Sequence, residues 1–328
     1  MSNITIKQAQ DSDISILENI LLDTVNWLNE IEQPLWNAED VTWNKLSKSY
    51  LISDFYIAYA DDVSSGCMVL IDYDPFFWPN VKKGDSLFIH KLAVTKAARK
   101  SGIADALIDF FKKQGAERRV KTLRLDTDAL RPKTRAFYER HKFEFIEEKI
   151  IGKFHVAFYV YKLITIRLAV PADAPDMAEV HMRSWEVAYK DIIPEDYIRQ
   201  KNATRHDLYT RVITEDNTNS YVIQYAGKTV GIMKIAPPQD DDVGDDFYEL
   251  HYIYLHPDYF RIGIGTQAME FIFDKARSIG KTGMTVWVLD ENIKSIKFYE
   301  KCGFQKDGKK MNNEYGKESG RIRMRRDL

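Results

Sequence analysis

Apolar residues recur at helical spacing directly after a glycine in two places along the chain. The first run follows Gly102 and places its apolar residues at Ile103, Leu107, Phe110 and Phe111. The second run follows Gly263 and uses the same offsets, at Ile264, Ala268, Phe271 and Ile272. Positions i, i+4, i+7 and i+8 line one face of a helix. The pattern therefore predicts two amphipathic helices, each beginning at a glycine.

Short runs of strand-forming residues lie before and after each predicted helix. They predict strands at residues 4–7, 55–60, 67–73, 86–94 and 122–126 in the first half, and at 164–168, 249–253 and 284–289 in the second. In each half a Phe-Tyr-Glu triplet lies on a further helix, and two closing strands are joined by a polar turn. Strands and helices thus alternate in the same way in both halves.

The second half repeats the first at one constant offset. Phe137-Tyr138-Glu139 follows Gly102 at the distance at which Phe298-Tyr299-Glu300 follows Gly263, and the start at residues 164–167 resembles residues 4–7. A chain of 328 residues is long enough for two domains that each bury a core. We predict two domains, residues 1–163 and 164–328.

Composition and charge narrow the function classes. Hydrophobic residues make up 45% and charged residues 29%, and a net charge of −2 gives no nucleic-acid footprint. We interpret the basic residues 321–326 as the exposed face of a last strand and the acidic residues 240–246 as a solvated loop. Cys67 and Cys302, one in each half, predict neither a disulfide nor a metal site. The chain start lacks a signal-peptide pattern and no apolar run could span a membrane, so we expect a cytoplasmic protein without membrane or metal.

Each glycine run has the arrangement of a phosphate-binding loop. A strand, a loop with small residues and a helix follow one another, and the unsatisfied N–H groups and dipole of a helix start attract an anion. Glycine lets a phosphate approach the backbone closely. A Rossmann dinucleotide site is the rival interpretation, but it requires a third glycine where Ala268 stands. The sequence therefore disfavours a Rossmann site.

The loops and the triplets together resemble the GNAT (Gcn5-related N-acetyltransferase) superfamily. Its acetyl-CoA loop, Gln/Arg-x-x-Gly-x-Gly/Ala, is matched in full by residues 99–104, whereas the second copy has Phe260 at the Gln/Arg position. The downstream pattern is matched throughout by Asn292, Ser295, Phe298, Tyr299, Gly303 and Phe304. The first copy instead has Arg131 for the Asn and Lys142 for the Gly. The resemblance implies an α/β (α+β) class with two GNAT-like domains, each with a mixed, mostly antiparallel sheet flanked by helices.

The same resemblance implies acetyl-CoA as cosubstrate in both copies. In the first copy the implied binding residues are Leu92, Val94, Arg99, Lys100, Ser101, Gly102, Ile103 and Ala104. In the second they are Ile253, Leu255, Arg261, Ile262, Gly263, Ile264, Gly265, Thr266, Asn292 and Ser295. The amides of Leu92 and Ile253 would bond the thioester oxygen. Asn292 would hold the CoA arm, or would simply cap the following helix.

Transfer to an amine needs a base, because an alkyl ammonium has a pKa of about 10.4. By resemblance Glu249, His251 and His90 are candidate bases, and Tyr299 and Tyr138 are candidate acids for the departing thiolate. Period-2 geometry predicts that Glu249, His251 and Ile253 share one sheet face. The alternative for the histidines is a half-buried strand position with satisfied ring nitrogens. For the tyrosines it is packing of a helix against the sheet.

The resemblance implies that the segment after the first strand of each half lines the acceptor pocket. Trp27, Trp36 and Trp43 in one half, and residues 184–189 in the other, could stack on an amine or belong to the core. We predict an N-acetyltransferase for a small primary amine, with the C-terminal half catalytic and the N-terminal half active or degenerate. The alternatives are an acyl-CoA-binding sensor without transfer, and an enzyme for protein lysines or N-termini. Residues 240–246 could also attract a polycationic acceptor, such as a polyamine or an aminoglycoside.

Overall fold

The computed structural model describes residues 3–215 and 219–328, except for the side chains of residues 214 and 215. The chain divides into two compact units, Met1–Leu163 and Ile164–Leu328. Each unit has its own sheet and its own hydrophobic core.

The N-terminal unit contains seven strands in one sheet. The strands are β1 Ile4–Gln8, β2 Phe55–Ala60, β3 Val63–Ile71, β4 Ser86–Val94, β5 Thr122–Asp128, β6 Glu144–Ile151 and β7 Phe154–Lys162. The α-helices are α1 Ile14–Glu30, α2 Trp43–Leu46, α3 Ile103–Glu117 and α4 Pro132–Arg140. The helix predicted after Gly102 and the five predicted strands are confirmed.

The C-terminal unit repeats this plan. Its strands are β8 Ile164–Leu168, β9 Ser220–Tyr225, β10 Lys228–Ala236, β11 Phe247–Leu255, β12 Gly283–Leu289, β13 Gln305–Glu314 and β14 Glu318–Asp327. Its helices are α5 Ala174–Ala188, α6 Glu195–Asn202, α7 Arg205–Glu215, α8 Ile264–Ser278 and α9 Ile293–Lys301. The strand order is β1-β2-β3-β4-β5-β7-β6 in the first sheet and, in the same sense, β8-β9-β10-β11-β12-β14-β13 in the second.

Both sheets are mostly antiparallel and have one parallel pair in the middle. Strands β4 and β5 pair in parallel from Ser86 only as far as Phe88, and β11 and β12 pair from Phe247 only as far as Leu250. Beyond these residues the two strands of each pair separate. Backbone groups at the C-terminal end of β4 and β11 are therefore left without a strand partner on that side, so a ligand can bind there.

A β-bulge lies at the point where each middle strand separates. In β11 the register shifts so that Leu250 pairs with Ile235 and Tyr252 with Lys234, which leaves His251 as the extra residue. Cross-strand partners share a face of the sheet, whereas the adjacent residues Ile235 and Lys234 lie on opposite faces. Their partners Leu250 and Tyr252 therefore also lie on opposite faces. Glu249 therefore shares its face with Tyr252 and not with Ile253. The prediction of one face for Glu249, His251 and Ile253 is wrong, because strict alternation ignores the bulge.

In β4 the bulge lies one position later. Val69 pairs with His90 and Cys67 pairs with Ala93, so two residues of β4 stand opposite Met68. Lys91 within this bulge has a left-handed backbone, with φ 50. His90 thus keeps the face of Val69 and Cys67, which belong to the core under α1.

Two charged segments differ from their predicted environments. Arg323 is buried and not on an exposed strand face, because its guanidinium donates to Asp240, Asp242 and Asp307. These bonds lower the pKa of Asp242 below its usual range. The acidic stretch at residues 240–246 is therefore more than a solvated loop, since two of its carboxylates neutralise a buried cation.

Cys67 and Cys302 are both free and buried. Among the helices of the described residues, none combines the length and the apolar content needed to cross a lipid bilayer.

Candidate functional site

The two glycine loops have nearly the same backbone conformation. Gly102 precedes α3 with φ 88 and ψ 0, and Gly263 precedes α8 with φ 86 and ψ −1. Two residues earlier, Lys100 and Arg261 both have φ 65. Left-handed backbone at the last residue before a helix is easy for glycine and costly for other residues. The sequence repeat is thus a repeat of backbone geometry.

Free N–H groups converge at the start of each of these helices. The first helical hydrogen bond of α3 runs from Ala106 N to Gly102 O at 2.9 Å, and that of α8 from Gln267 N to Gly263 O at 3.1 Å. The N–H groups of the intervening residues have no partner within the helix. With the helix dipole, they form an anion-binding site. These groups belong to Ile103, Ala104, Asp105, Ile264, Gly265 and Thr266.

The side chains around the two loops differ. The first turn of α3 contains Asp105, whose carboxylate accepts from Arg140 at 2.6 Å and lies 2.9 Å from His141 Nε2. The first turn of α8 has no acidic residue, because Thr266 stands at that place. An anion at α3 would therefore meet a carboxylate that an anion at α8 does not.

Arg99 fills the Gln/Arg position of the first loop and packs on an aromatic ring. Its guanidinium carbon lies 3.0 Å from the centre of the Trp27 ring. Burial lowers the pKa of Arg99, and the carboxylate of Asp23 opposes this effect. Trp27 therefore supports the loop rather than the core, whereas Trp36 and Trp43 pack against the core under α1.

The other predicted CoA residues lie along the separated strands. Leu92 and Val94 follow His90 on β4, and Ile253 and Leu255 follow His251 on β11, all beyond the last residue that pairs in parallel. Of the loop residues, Ser101 donates its hydroxyl to Ala98 O at 2.5 Å. The predicted strand residues of each unit thus lie beside the gap between the two separating strands, which we call the opening, and the predicted loop residues follow directly after them in the chain.

Glu249 is a buried carboxylate next to the opening in the C-terminal unit. It is 6% exposed, and its Oε2 accepts weakly from Gln239 N at 3.4 Å. His251 Nε2 lies 3.9 Å from Glu249 Oε1, which is too long for a hydrogen bond, and this nitrogen is buried without a partner. The ring nitrogens of His251 are therefore not both satisfied.

Tyr299 and Tyr138 occupy equivalent places on α9 and α4. Burial raises the pKa of both hydroxyls, helped by the nearby hydroxyl of Tyr254 for Tyr299 and by the carboxylate of Asp126 for Tyr138. Both phenols therefore keep their proton at neutral pH, as a proton donor must. Their rings also pack in aromatic clusters, Tyr299 on Phe304 and Tyr138 on Phe143.

The helix starts that precede these tyrosines are built differently. Asn292 is buried and its Oδ1 accepts from Ser295 N at 3.1 Å, so it caps α9 as the simpler alternative predicts. Arg131 at the same place before α4 makes no cap. Its guanidinium donates to Asp128 at 3.2 Å and to the backbone oxygens of Gln33 and Pro34 at 2.9 and 2.7 Å. Arg131 thus ties the segment after α1 to the start of α4.

The N-terminal unit holds an acid–base cluster that sequence patterns did not reveal. His90 Nδ1 lies 3.0 Å from the hydroxyl of Tyr50, and His90 Nε2 lies 3.2 Å from Asp74 without hydrogen-bond geometry. One ligand-type atom each of Asp74, His90 and Asp126 lies within 4.8 Å of the others. Burial raises the pKa of Asp126 to about 6, with His90 acting in the opposite sense. Among the described residues, these three form the group of His, Cys, Asp and Glu side chains whose ligand atoms are close enough together to hold a cation.

Aromatic residues and one arginine form a second unpredicted cluster, in the C-terminal unit. His181 and Trp185 on α5 and Tyr209 on α7 lie beside Tyr252 and Tyr254 of β11. Arg205 places its guanidinium carbon 4.3 Å from the centre of the Trp185 ring. Of the predicted acceptor segment, Ser184 and Trp185 are buried. Only the tertiary fold brings α7 to these residues, so no local signal marked Arg205.

Comparison with known proteins gives the same two-fold division. The family model for the acetyltransferase (GNAT) family matches residues 21–143 and again residues 175–304. An uncharacterized N-acetyltransferase of Bacillus subtilis, YuaI, is 31% identical over 143 residues, which cover 42% of this chain and 78% of that protein. A probable N-acetyltransferase of Mycobacterium tuberculosis, Rv2775, is 24% identical over 149 residues, 44% of this chain and 82% of that protein.

Two solved structures with a similar fold each match half of this chain over nearly their whole length. The PaiA N-acetyltransferase of Thermoplasma acidophilum in complex with coenzyme A is 20% identical with a TM-score of 0.41, and covers 50% of this chain and 99% of that chain. YncA of Salmonella typhimurium, a putative acetyltransferase with its cofactor acetyl-CoA, is 20% identical with a TM-score of 0.39, and covers 50% and 94%.

Proposed function

Because the chain belongs to the acetyltransferase (GNAT) family, we propose that it transfers the acetyl group of acetyl-CoA to the primary amine of a small molecule, with the C-terminal unit catalytic. One observation carries the choice of site. Glu249 is a buried carboxylate on the sheet face of Tyr252 and Tyr254, at the end of the parallel pairing. That position puts a base beside the opening where the acceptor would approach.

Glu249 takes the proton that blocks the amine. An alkyl ammonium with a pKa of about 10.4 is almost fully protonated at neutral pH and has no lone pair to attack with. The ammonium gives its proton to the Glu249 carboxylate, directly or through one water molecule. His251, whose unpartnered Nε2 lies 3.9 Å from Glu249 Oε1, is the second candidate base at this site.

Tyr299 supplies the proton that the leaving group needs. Acetyl-CoA provides an activated acetyl group as a thioester. The amine nitrogen bonds to the carbonyl carbon, the carbon–sulfur bond breaks, and its electron pair stays on sulfur. The Tyr299 hydroxyl then donates its proton to the thiolate, and the amide nitrogen releases its second proton to solvent. A proton from solvent restores the Tyr299 hydroxyl, and the proton held by Glu249 leaves to solvent. The raised pKa of Tyr299 keeps this donor loaded.

Two differences between the units support the C-terminal one as the main catalyst. Asp105 places a carboxylate, paired with Arg140, in the first turn of α3, whereas the first turn of α8 offers its N–H groups to a diphosphate without an acidic neighbour. Arg131 also ties the segment after α1 to the start of α4, whereas Asn292, at the equivalent position of the C-terminal unit, caps α9.

A second acetyl-transfer centre in the N-terminal unit is the other candidate. It is favoured by Asp126, which lies close to both His90 and Tyr138 and whose pKa is raised to about 6. A base with a pKa near neutrality is well matched to proton transfer at neutral pH. In this case Asp126 would act as base and Tyr138 as acid.

A screen of primary amines that measures free CoA release, run on the full chain, four site variants and one control variant, tests both candidates. We expect Glu249→Gln and Tyr299→Phe to lower kcat by about 10²- to 10⁴-fold without changing CoA affinity. Asp126→Asn and Tyr138→Phe should leave most of the turnover. Glu270→Gln, an exposed acid on α8, is the matched control.

Each alternative predicts a different outcome of the same screen. Loss of turnover in the Asp126 and Tyr138 variants alone would assign catalysis to the N-terminal unit. CoA binding without transfer to any amine would favour a sensor. Transfer only to peptide lysines or N-termini would favour a protein acetyltransferase.

A further inference from the structure

Arg205, at the start of α7, is a buried cation in the C-terminal unit. The residue is 8% exposed, and its guanidinium carbon lies 4.3 Å from the centre of the Trp185 ring. Its Nε and Nη2 atoms are buried and have no hydrogen-bond partner. Burial lowers the pKa of Arg205, and the groups that oppose this effect are the hydroxyls of Tyr254, Tyr209, Tyr197 and Tyr252.

Among the side chains that the structure describes, which leave out residues 214 to 218, no acidic group pairs with Arg205. The contrast with Arg323 of the same unit is informative. Arg323 is buried to a similar degree, but it donates to three carboxylates. A buried charge is costly unless it is paired, and a tyrosine hydroxyl carries no full charge. The surroundings of Arg205 therefore lack one anion, which a bound ligand can supply.

The unpaired guanidinium lies beside the proposed acetyl-transfer site. Tyr252 and Tyr254 are half-buried, and both follow Leu250, the last residue of β11 that pairs with β12. They share the sheet face of Glu249. Tyr254 also lies close enough to Tyr299 to raise the pKa of that hydroxyl. One small molecule could therefore reach Arg205 with one end and the catalytic groups with the other.

His181 adds no competing charge to this cluster. Its Nδ1 lies 2.7 Å from the Tyr209 hydroxyl, and its ring stacks on Tyr254 with the ring centres 4.2 Å apart. Burial and the charge of Arg205 lower the pKa of His181 to about 2. The cluster thus carries a single positive charge surrounded by aromatic rings.

We propose that Arg205 binds a carboxylate of the acceptor, so that the substrate is an amine that also carries a carboxylate, as an amino acid does. The planar fork of a guanidinium matches the two oxygens of a carboxylate. A single charge fits a carboxylate better than a phosphate monoester, which brings a charge of about −1.5 to −2. The inference rests on the proposed function, because it names the acceptor of that same site.

The test compares matched acceptors on the full chain. Phenylalanine and methionine are each tested as the free amino acid, as the amide and as the decarboxylated amine, with wild type, Arg205→Met, Arg205→Lys and Arg211→Met. Arg211 is an exposed arginine on the same helix and serves as the control. A second arm titrates N-acetylphenylalanine and N-acetylphenethylamine into each protein by calorimetry.

Wild type and Arg211→Met should prefer the carboxylate acceptor by about 10- to 100-fold in kcat/KM, the range expected for hydrogen bonds to a charged group. Arg205→Met should abolish this preference without lowering the rate with the decarboxylated amine, and Arg205→Lys should keep part of it. The Tm of Arg205→Met should equal or exceed that of wild type, because an unpaired buried charge has been removed.

A preference that survives in Arg205→Met, or a wild type that prefers amines without a carboxylate, would overturn the inference while leaving the proposed function intact. A clear fall in the Tm of Arg205→Met would assign Arg205 a structural role instead. If no amine is acetylated, the proposed function fails, and the calorimetric arm decides alone. Equal binding of the two N-acetyl compounds would then refute the role of Arg205.

Discussion

Replacing Gly102 by alanine tests whether the loop needs glycine for its backbone conformation or for the space that it leaves. Gly102 has φ +88, and a Cβ atom added there meets no atom within 4 Å. The substitution therefore costs only the left-handed backbone energy, about 1–2 kcal/mol for a residue with a side chain. Gly152, in the β6–β7 turn, has φ +58 and the same open space, so Gly152→Ala is a matched control far from the loop.

Both variants should lose about 1–2 kcal/mol of unfolding free energy in urea. Only Gly102→Ala should weaken CoA binding. A loop that relaxes out of the left-handed conformation must return to it on binding, and the same energy then lowers affinity by about 5- to 30-fold. Gly263→Ala, with Gly227→Ala in the β9–β10 turn as control, applies the same comparison to the C-terminal loop.

Isothermal titration calorimetry with CoA on the full chain measures the affinity and the stoichiometry together. We expect two CoA molecules per wild-type chain, with one of the two binding events weakened in each glycine variant. A wild-type stoichiometry of one would contradict two working loops. Equal weakening by Gly152→Ala and Gly102→Ala would show that the effect comes from stability alone, and would refute the reasoning about the loop.

Two further predictions concern buried charges. The pKa of the Asp126 carboxyl is about 6 in the folded chain and 3.8 ordinarily. The protonated carboxyl therefore contributes its full stability below pH 3.8, and this contribution is lost as the pH rises through 6. Asp126→Asn should therefore be more stable than wild type by about 1–3 kcal/mol at pH 7 and not at pH 4, in urea melts; a pH-independent difference would argue against burial of the charge. Arg323→Met leaves Asp240 and Asp307 without their cation and Asp242 with Lys309, and should cost about 3–5 kcal/mol in the same assay, whereas Arg325→Met, in the exposed part of β14, should cost little. An Arg323→Met protein as stable as wild type would show that Asp240 and Asp307 need no counter-charge.

The elements that depend on local sequence could be predicted. The glycines before α3 and α8, the apolar faces of both helices and the strands around them follow from patterns within a few residues. The bulge at His251 could not be predicted in this way, because it is a property of the pairing between β10 and β11.

The charged groups of the site depend on contacts that are distant in sequence. Asp74, His90 and Asp126 come from a loop and two strands, and no spacing rule relates them. Arg323 is predicted to be exposed because three of its five neighbours in residues 321–326 are arginines, and only the folded loop at Asp240 shows what neutralises it. The two glycine loops could thus be predicted from local sequence patterns, whereas the acid–base partners are visible only in the tertiary structure.

The different bulge positions in β4 and β11 bear on how the two copies diverged. Moving the extra residue by one place changes which side chain at the bulge has a regular cross-strand partner, because His90 pairs with Val69 whereas the equivalent His251 is the extra residue. Two copies of one ancestral unit could thus acquire different reactive groups at the same opening without changing any helix. Relocating that extra residue by a one-residue insertion and deletion offers an engineering route for exchanging the chemistry of one half for that of the other.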